Sequence, residues 1–386
     1  MIQLNGITWN HTRGLLPMLA TAQCFEETHP GIAIHWQKRS LQAFADAPLA
    51  DLAQRFDLMV IDHPSIGEAA EHGLLLPLDT LLPTEFLVDQ AANSVGQSHS
   101  SYLYNGHQWA LAIDAATPIA GYRPGHIAEP ELPRTWSDLV ALARRGLVAT
   151  PGLAIDSLMA FFMLANALKA EPFTTPEAVI SPAHAGTATQ ALQMLRELIH
   201  LSAPGSLDRN PIRTWQLLSQ SGTSSDTIAY CPFAYGYSNY SRAGYAPNLI
   251  AATNLITLDD GTPLRSTLGG AGLAISASCQ HPEIAAEYAQ FVASPLTQRT
   301  LYTTSGGQPG HRAAWLDPEA NRLTQNFFAN TLPTLDAAWV RPRWPGFIAF
   351  QDAASAIIHR YLREPGISEQ SVLADFNASL TRHKEL

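Results

Sequence analysis

Three clusters in this sequence bring together side chains able to grip a small solute. The first is Trp9-Asn10-His11, at the end of an opening strand pattern. An indole offers a flat apolar face to a ring or an aliphatic chain, and its two neighbours can donate or accept hydrogen bonds. Core packing is the rival role for Trp9. The second is Asp62-His63, directly after the apolar run Phe56–Ile61. A carboxylate there can accept bonds from hydroxyls, or it can cap the helix that follows. The third comprises Phe233, Tyr235, Tyr237 and Tyr240 around Ser238-Asn239. Aromatic clusters are core by default, but this one is too polar for a plain core, and Tyr235 is its leading residue. Arg39, Arg341 and Arg343 complete the set, since a guanidinium suits a carboxylate or phosphate; an exposed surface position is the alternative for each.

Covalent chemistry has no comparable signature. The chain lacks GxxxxGK[ST], HExxH, GxSxG and a GxGxxG set between strand and helix. Gly269-Gly270-Ala271-Gly272 comes nearest, with the wrong spacing and inside a strand pattern. No His pair stands at i, i+4 beside a carboxylate on an evident helix. Cys24, Cys231 and Cys279 are odd in number and far apart, which suggests buried small hydrophobes, not zinc ligands or a disulfide framework. The reading is therefore non-enzymatic, with no metal and no cofactor.

These residues must be positioned by a substantial fold. The 386 residues are 46% hydrophobic and 15% charged, enough to bury one large or two medium cores and too apolar for disorder. The net charge of −10 repels phosphate backbones, and lysine occurs only at Lys38, Lys169 and Lys384, so no nucleic-acid partner is expected. The opening alternates strand and helix: a strand over Ile2–Trp9, a helix over Gly14–Thr28, a strand over Ile32–Trp36, a fully buried strand over Phe56–Ile61, then a helix over Ile66–His72. That is the start of a doubly wound α/β domain. Further on, a turn at Tyr104–His107 joins two short strands, and an extended run over Trp109–Tyr122 is broken by Asp114 and Pro118. Thr135 and Asp138 are spaced as a capping box. Helical patterns cover Leu158–Leu168, Thr187–Leu201, Pro282–Val292, Asp352–Tyr361 and Glu369–Leu380; strand patterns cover Asp226–Tyr230 and Ser266–Ser276.

Seven segments in register resemble the extracellular solute-binding proteins of ATP-driven importers, the family that includes maltose-binding protein. They are the Trp9 strand with its helix, Phe25-Glu26 with Pro30-Gly31-Ile32, Phe56–Val60, Gly73-Leu74-Leu75-Leu76-Pro77-Leu78-Asp79, Tyr104–Ala112, Pro133–Leu139, and Gly269–Ser276 before the Pro282–Phe291 helix. Two departures stand out: Leu111-Ala112-Ile113-Asp114 lacks the family's common proline, and the N-terminus has no signal segment. The resemblance implies a two-lobe α/β fold with a hinge and an interlobe ligand cleft. Residues 1–113 with 265–312 would form lobe one, and 114–264 with 313–386 lobe two. Asp114 would then sit at the hinge crossing, facing the cleft or making a structural hydrogen bond. Gly270 on the glycine-rich strand and the 340–347 segment carrying Arg341 and Arg343 would line the cleft.

The resemblance further implies a monomeric receptor that captures a carbohydrate or polyol, with an organic anion as second choice, and closes about its hinge. Its partners would be the solute and, if exported, the membrane permease of an ABC importer. A periplasmic location is expected, with the cytoplasm open because no signal peptide is visible. An intracellular enzyme or sensor built on the same fold is the alternative.

Overall fold

The computed structural model describes residues 1–40, 49–220 and 228–384. Among these residues ten strands fall into two principal sheets and a hairpin. The strands are β1 (Ile2–Trp9), β2 (Ile32–Arg39), β3 (Leu58–Ile61), β4 (Leu103–Tyr104), β5 (His107–Gln108), β6 (Leu111–Ala116), β7 (Pro118–Tyr122), β8 (Tyr230–Tyr235), β9 (Ala251–Thr253) and β10 (Gly269–Ile275). The first sheet has the order β2-β1-β3-β10-β6, the second β8-β7-β9, and β4 pairs with β5.

The opening reading holds closely. β1 runs over the expected residues and pairs in parallel with β2 and β3. β3 is wholly buried, as its unbroken Leu-Met-Val-Ile run requires. The sheet is mixed, however: β10 inserts between β3 and β6 and runs antiparallel to both. Local sequence cannot reveal that insertion, because β10 lies some two hundred residues after β3.

Helices cover each sheet for the usual reason, an apolar stripe that must be buried. Thr12–Thr28 buries Met18, Ala22 and Phe25 on the first sheet, and Tyr288 from Pro282–Ala293 packs edge-on to Phe25. In the second layer Ala154–Ala167 is apolar nearly all round and is enclosed by Ala185–Leu201, Phe347–Arg363 and Glu369–Lys384. The last helix buries Val372, Phe376 and Leu380 as expected, while Leu373 is half-buried. Thr135 and Asp138 form the capping box at the start of Trp136–Arg144. The strand expected over Asp226–Tyr230 begins outside the described residues; the one observed is β8, which runs to Tyr235. Cys231 and Cys279 are buried, but Cys24 is partly exposed.

The chain passes between the sheets on neighbouring strands. Thr117 alone separates β6 from β7, and its hydroxyl donates to the Thr267 carbonyl at 3.0 Å and pairs with Ser266 Oγ. Asp114 therefore lies inside β6, and the break in the extended run falls at Thr117. The returning segment is fixed by Leu268 N–H donating to the Trp339 carbonyl at 2.7 Å, and by Trp339 N–H donating to the Ser266 carbonyl at 2.7 Å. No helix among the described residues is long and apolar enough to cross a membrane.

A third contact between the layers is very close. A Cβ added to Gly67 would lie 1.7 Å from the Arg343 carbonyl oxygen, so only glycine lets the 343–345 segment cross there. Gly67→Ala should lower stability by about 1–3 kcal/mol, as expected when packing leaves no room for a methyl. Urea unfolding of the two proteins checks it.

Candidate functional site

A cavity of about 680 Å³ opens between the two sheets. Its walls include Trp9, Arg13, Asp62, Asp114, Asp156, Met159, Tyr235, Tyr237, Gly270, Arg341 and Ser355. That volume suits a small organic molecule, and the mixture of aromatic faces with a few polar groups is usual for such sites.

Asp114 carries the first polar anchor. Arg13, in the first turn of Thr12–Thr28, donates through Nε to Asp114 Oδ2 at 2.8 Å and through Nη2 to Oδ1. Its third nitrogen, Nη1, donates to the Gly236 carbonyl at 2.8 Å, just past β8 in the second sheet. Burial works to lower the Arg13 pKa, and the Asp114 carboxylate overcomes this and raises it, so the guanidinium stays charged. The same guanidinium lies 4.8 Å from the centre of the Tyr237 ring.

Asp62 carries the second. Its carboxylate accepts from the His63 backbone N–H at 2.9 Å, the capping role, and from Arg341 Nη2 through both oxygens at 2.9 and 2.7 Å. Burial would raise its pKa, but the Arg341 charge and the bond to His63 hold it well below the usual carboxylate range. Arg341 Nη1 reaches Gln351 Oε1 on Phe347–Arg363 at 3.0 Å, so the pair ties the end of β3 to the helical layer. The capping role is therefore realised, and the rest of the carboxylate is taken up by Arg341 at the cavity wall.

Tyr235 is half-buried at the end of β8, its hydroxyl 3.2 Å from Thr267 Oγ1 and its ring against Gly269, where a Cβ would lie 2.5 Å from Cε1. Gly270 has φ +104°, and a Cβ there would lie 2.3 Å from the Asp114 carbonyl oxygen. The glycine lets the β10 bulge press against β6 directly under the cavity. Trp9 is mostly core, with its ring against Gly14 and only 5% exposed, but it reaches the cavity wall.

The remaining candidates lie away from the cavity. Phe233 is core and lines only a void of about 10 Å³ behind the wall. Asn10 is exposed. His11 caps Thr12–Thr28 by accepting from Arg13 N–H at 3.0 Å, and it touches Tyr245 Oη at 3.1 Å. Burial, then the Arg13 charge, takes its pKa down to about 4, so it is neutral. His63 is likewise buried and lowered to about 4, by burial and the Arg341 charge. Arg39 donates to the Val60 carbonyl at 3.3 Å. Arg343 donates to the carbonyls of Ser100, Ser101 and Leu103 and so fastens two loops together. Their sequence neighbourhoods were suggestive, but His11, Arg39, Phe233 and Arg343 are engaged by the scaffold and His63 is buried beside Asp62. No cluster of His, Cys, Asp or Glu among the described residues could hold a metal ion.

Sequence reasoning missed Arg13, Asp156 and Ser355. Asp156 alone left a signal: it is a carboxylate in the first turn of an otherwise apolar helix. It is 9% exposed, its Oδ2 has no hydrogen-bond partner, and burial pushes its pKa up to about 8. The other charged groups on the cavity wall are Arg13, Asp62, Asp114, Asp208, Arg213, Arg341 and Asp352. Folding thus raises this carboxyl from 3.8 to about 8, and the folded chain binds the extra proton between those values. Stability falls as pH rises through that window, by up to about 1.4 kcal/mol per unit. Asp156→Asn should therefore match the parent near the acid end and exceed it increasingly toward neutral pH. Denaturant melts across that range, compared pairwise, read the difference directly; parallel pH profiles would contradict it.

Comparison with known proteins adds to this geometry. The family model described as bacterial extracellular solute-binding protein matches residues 8–299. Among solved structures, maltose-bound MalE3 of T. maritima superposes with a TM-score of 0.81 at 17% identity, over 99% of this chain and 100% of that one. A solute-binding protein of Thermotoga lettingae bound with α-D-tagatose gives 0.80 at 17%, over 98% and 100%. One from Agrobacterium radiobacter K84 in complex with ribitol gives 0.78 at 16%, over 100% and 98%. Shared fold over the full length, at identities this low, establishes the two-lobe architecture.

Proposed function

The chain belongs to the bacterial extracellular solute-binding protein family, and we propose that it is the receptor of an ABC-type importer for a small polyhydroxylated solute. The observation that carries this reading is the cavity of about 680 Å³, with the Tyr235 and Tyr237 rings among aspartates on its wall. Carboxylates accept bonds from hydroxyls and aromatic rings cover the apolar face of a sugar or polyol. The tagatose- and ribitol-bound structures favour the same class. An organic anion fits less well, since Arg13 and Arg341 are already committed to Asp114 and Asp62 and the remaining arginine on the wall, Arg213, is exposed to solvent.

In this reading residues 1–113 with 265–312 make one lobe and the rest the other. Trp9, Asp62, Asp114, Tyr235, Tyr237, Gly270 and Arg341 supply the solute contacts. Closure about Thr117 and Ser266–Leu268 traps the solute, and the closed form is what the permease engages outside the cytoplasm. The solute leaves unchanged.

A thermal-shift screen over sugars, polyols and organic acids tests the proposal. A solute present at about a hundred times its Kd should stabilise the protein by about 2.7 kcal/mol. With that solute, scattering should show a smaller radius of gyration, and the recovered compound should be chemically intact. Conversion of the solute would overturn the receptor reading. Tyr235→Ala should weaken binding by about tenfold or more, the loss of a ~1.5–3 kcal/mol aromatic contact. Calorimetric titration measures it, and unchanged affinity would remove Tyr235 from the site.

A further inference from the structure

Three buried polar atoms belong to residues that line the same cavity and have no partner: Asp156 Oδ2, Ser355 Oγ and Arg341 Nε. Buried polar atoms are rarely left unsatisfied in a folded chain, so an acceptor, a hydroxyl and a donor orphaned around one cavity call for a ligand. Asp156 is the most exacting of them. The void of about 10 Å³ beside it is walled otherwise by apolar groups such as Pro118, Pro151, Met159, Met163 and Phe233, and by Tyr235, whose hydroxyl pairs with Thr267 Oγ1 instead. A donor for Oδ2 has to come from the cavity side.

The charge of the wall says what kind of donor. Five aspartates and three arginines line the cavity, and no lysine. Arg13 and Arg341 are neutralised by Asp114 and Asp62, and Asp208 pairs outward with Arg363 at 2.7 Å. The Asp156 carboxyl has no arginine of its own, and burial is the sole cause of its raised pKa. A ligand cation would restore its charged form and supply the missing counter-charge in a poorly solvated site, where such a pair is far stronger than in water. Tyr235 and Tyr237 add ring faces of the kind that attract cations.

We propose that Asp156 is the specificity-determining residue of this cavity and that the solute is a hydroxylated amine, an aminodeoxy sugar or amino polyol, whose ammonium pairs with Asp156 while its hydroxyls meet Ser355 and Arg341. The inference rests on the receptor reading above and narrows its solute class.

Matched pairs test it by calorimetric titration at neutral pH: D-glucosamine against D-glucose and N-acetyl-D-glucosamine, and 1-amino-1-deoxy-D-sorbitol against D-sorbitol. At least one free amine should bind about tenfold or more tightly than its uncharged counterparts. Asp156→Asn, a nearly isosteric change whose folding is verified by its melting curve, should erase that margin. Ser355→Ala should weaken the amine and its neutral partner alike. Equal binding of neutral and aminated members overturns the inference and leaves the receptor reading standing. A margin that survives in the Asn variant overturns it too. If no aminated probe binds at millimolar concentration while a neutral one does, the amine class is excluded. If nothing in either panel binds, both readings fall.

Discussion

Everything around the cavity depends on one buried ion pair, Arg13 with Asp114. The guanidinium comes from the first helix, the carboxylate from the strand about to leave the first sheet, and the remaining nitrogen holds the Gly236 carbonyl beyond β8. Burying two charges costs several kcal/mol each, and only forked geometry with every nitrogen satisfied offsets it. Here all three guanidinium nitrogens are occupied. The pair thereby fixes the register between helix, β6 and β8, and with it the positions of Trp9, Tyr235 and Tyr237. It also consumes the cation that an anionic ligand would need.

The second pair, Arg341 with Asp62, joins the other wall, with Gln351 as a further acceptor but with Arg341 Nε left without a partner. Two self-neutralised pairs make much of the cavity polar without making it charged. Against that background the Asp156 carboxyl stands out as a buried acid with no counter-charge of its own. A group kept in this state lowers the stability of the empty protein, which is the trade expected where binding and folding compete for the same side chain.

Much of the fold was legible because its signals are local. β1, β3, the Thr135–Asp138 capping box and the apolar helix at Ala154–Ala167 each follow from periodicity or spacing within a few residues. The resemblance over seven segments supplied the two lobes. The site was legible only by halves. Asp62 and Arg341 were both singled out, but they stand 279 residues apart and nothing local couples them. His63, Phe233 and Arg343 look functional by position, yet each faces scaffold, a matter of side-chain direction that a strand or loop pattern does not encode. Arg13 was overlooked because it sits one turn past the obvious cluster at residues 9–11, and Asp156 because a lone carboxylate in an apolar helix reads as a helix start.

The strand order of the first sheet has a bearing on how this chain comes to be folded. β10 lies between β3 and β6, so the edges of both remain unpaired until residue 275 has been made. By then β7, β8 and β9 and the helices between them have been synthesised, whereas Phe347–Arg363 and Glu369–Lys384 have not. The first sheet therefore waits on a strand made long after its neighbours. Its nascent form exposes two apolar strand edges over some one hundred and fifty residues of elongation, a high-contact-order interval in which aggregation competes with folding. A chain of this topology gains from helper proteins that shield those edges until its first sheet can close.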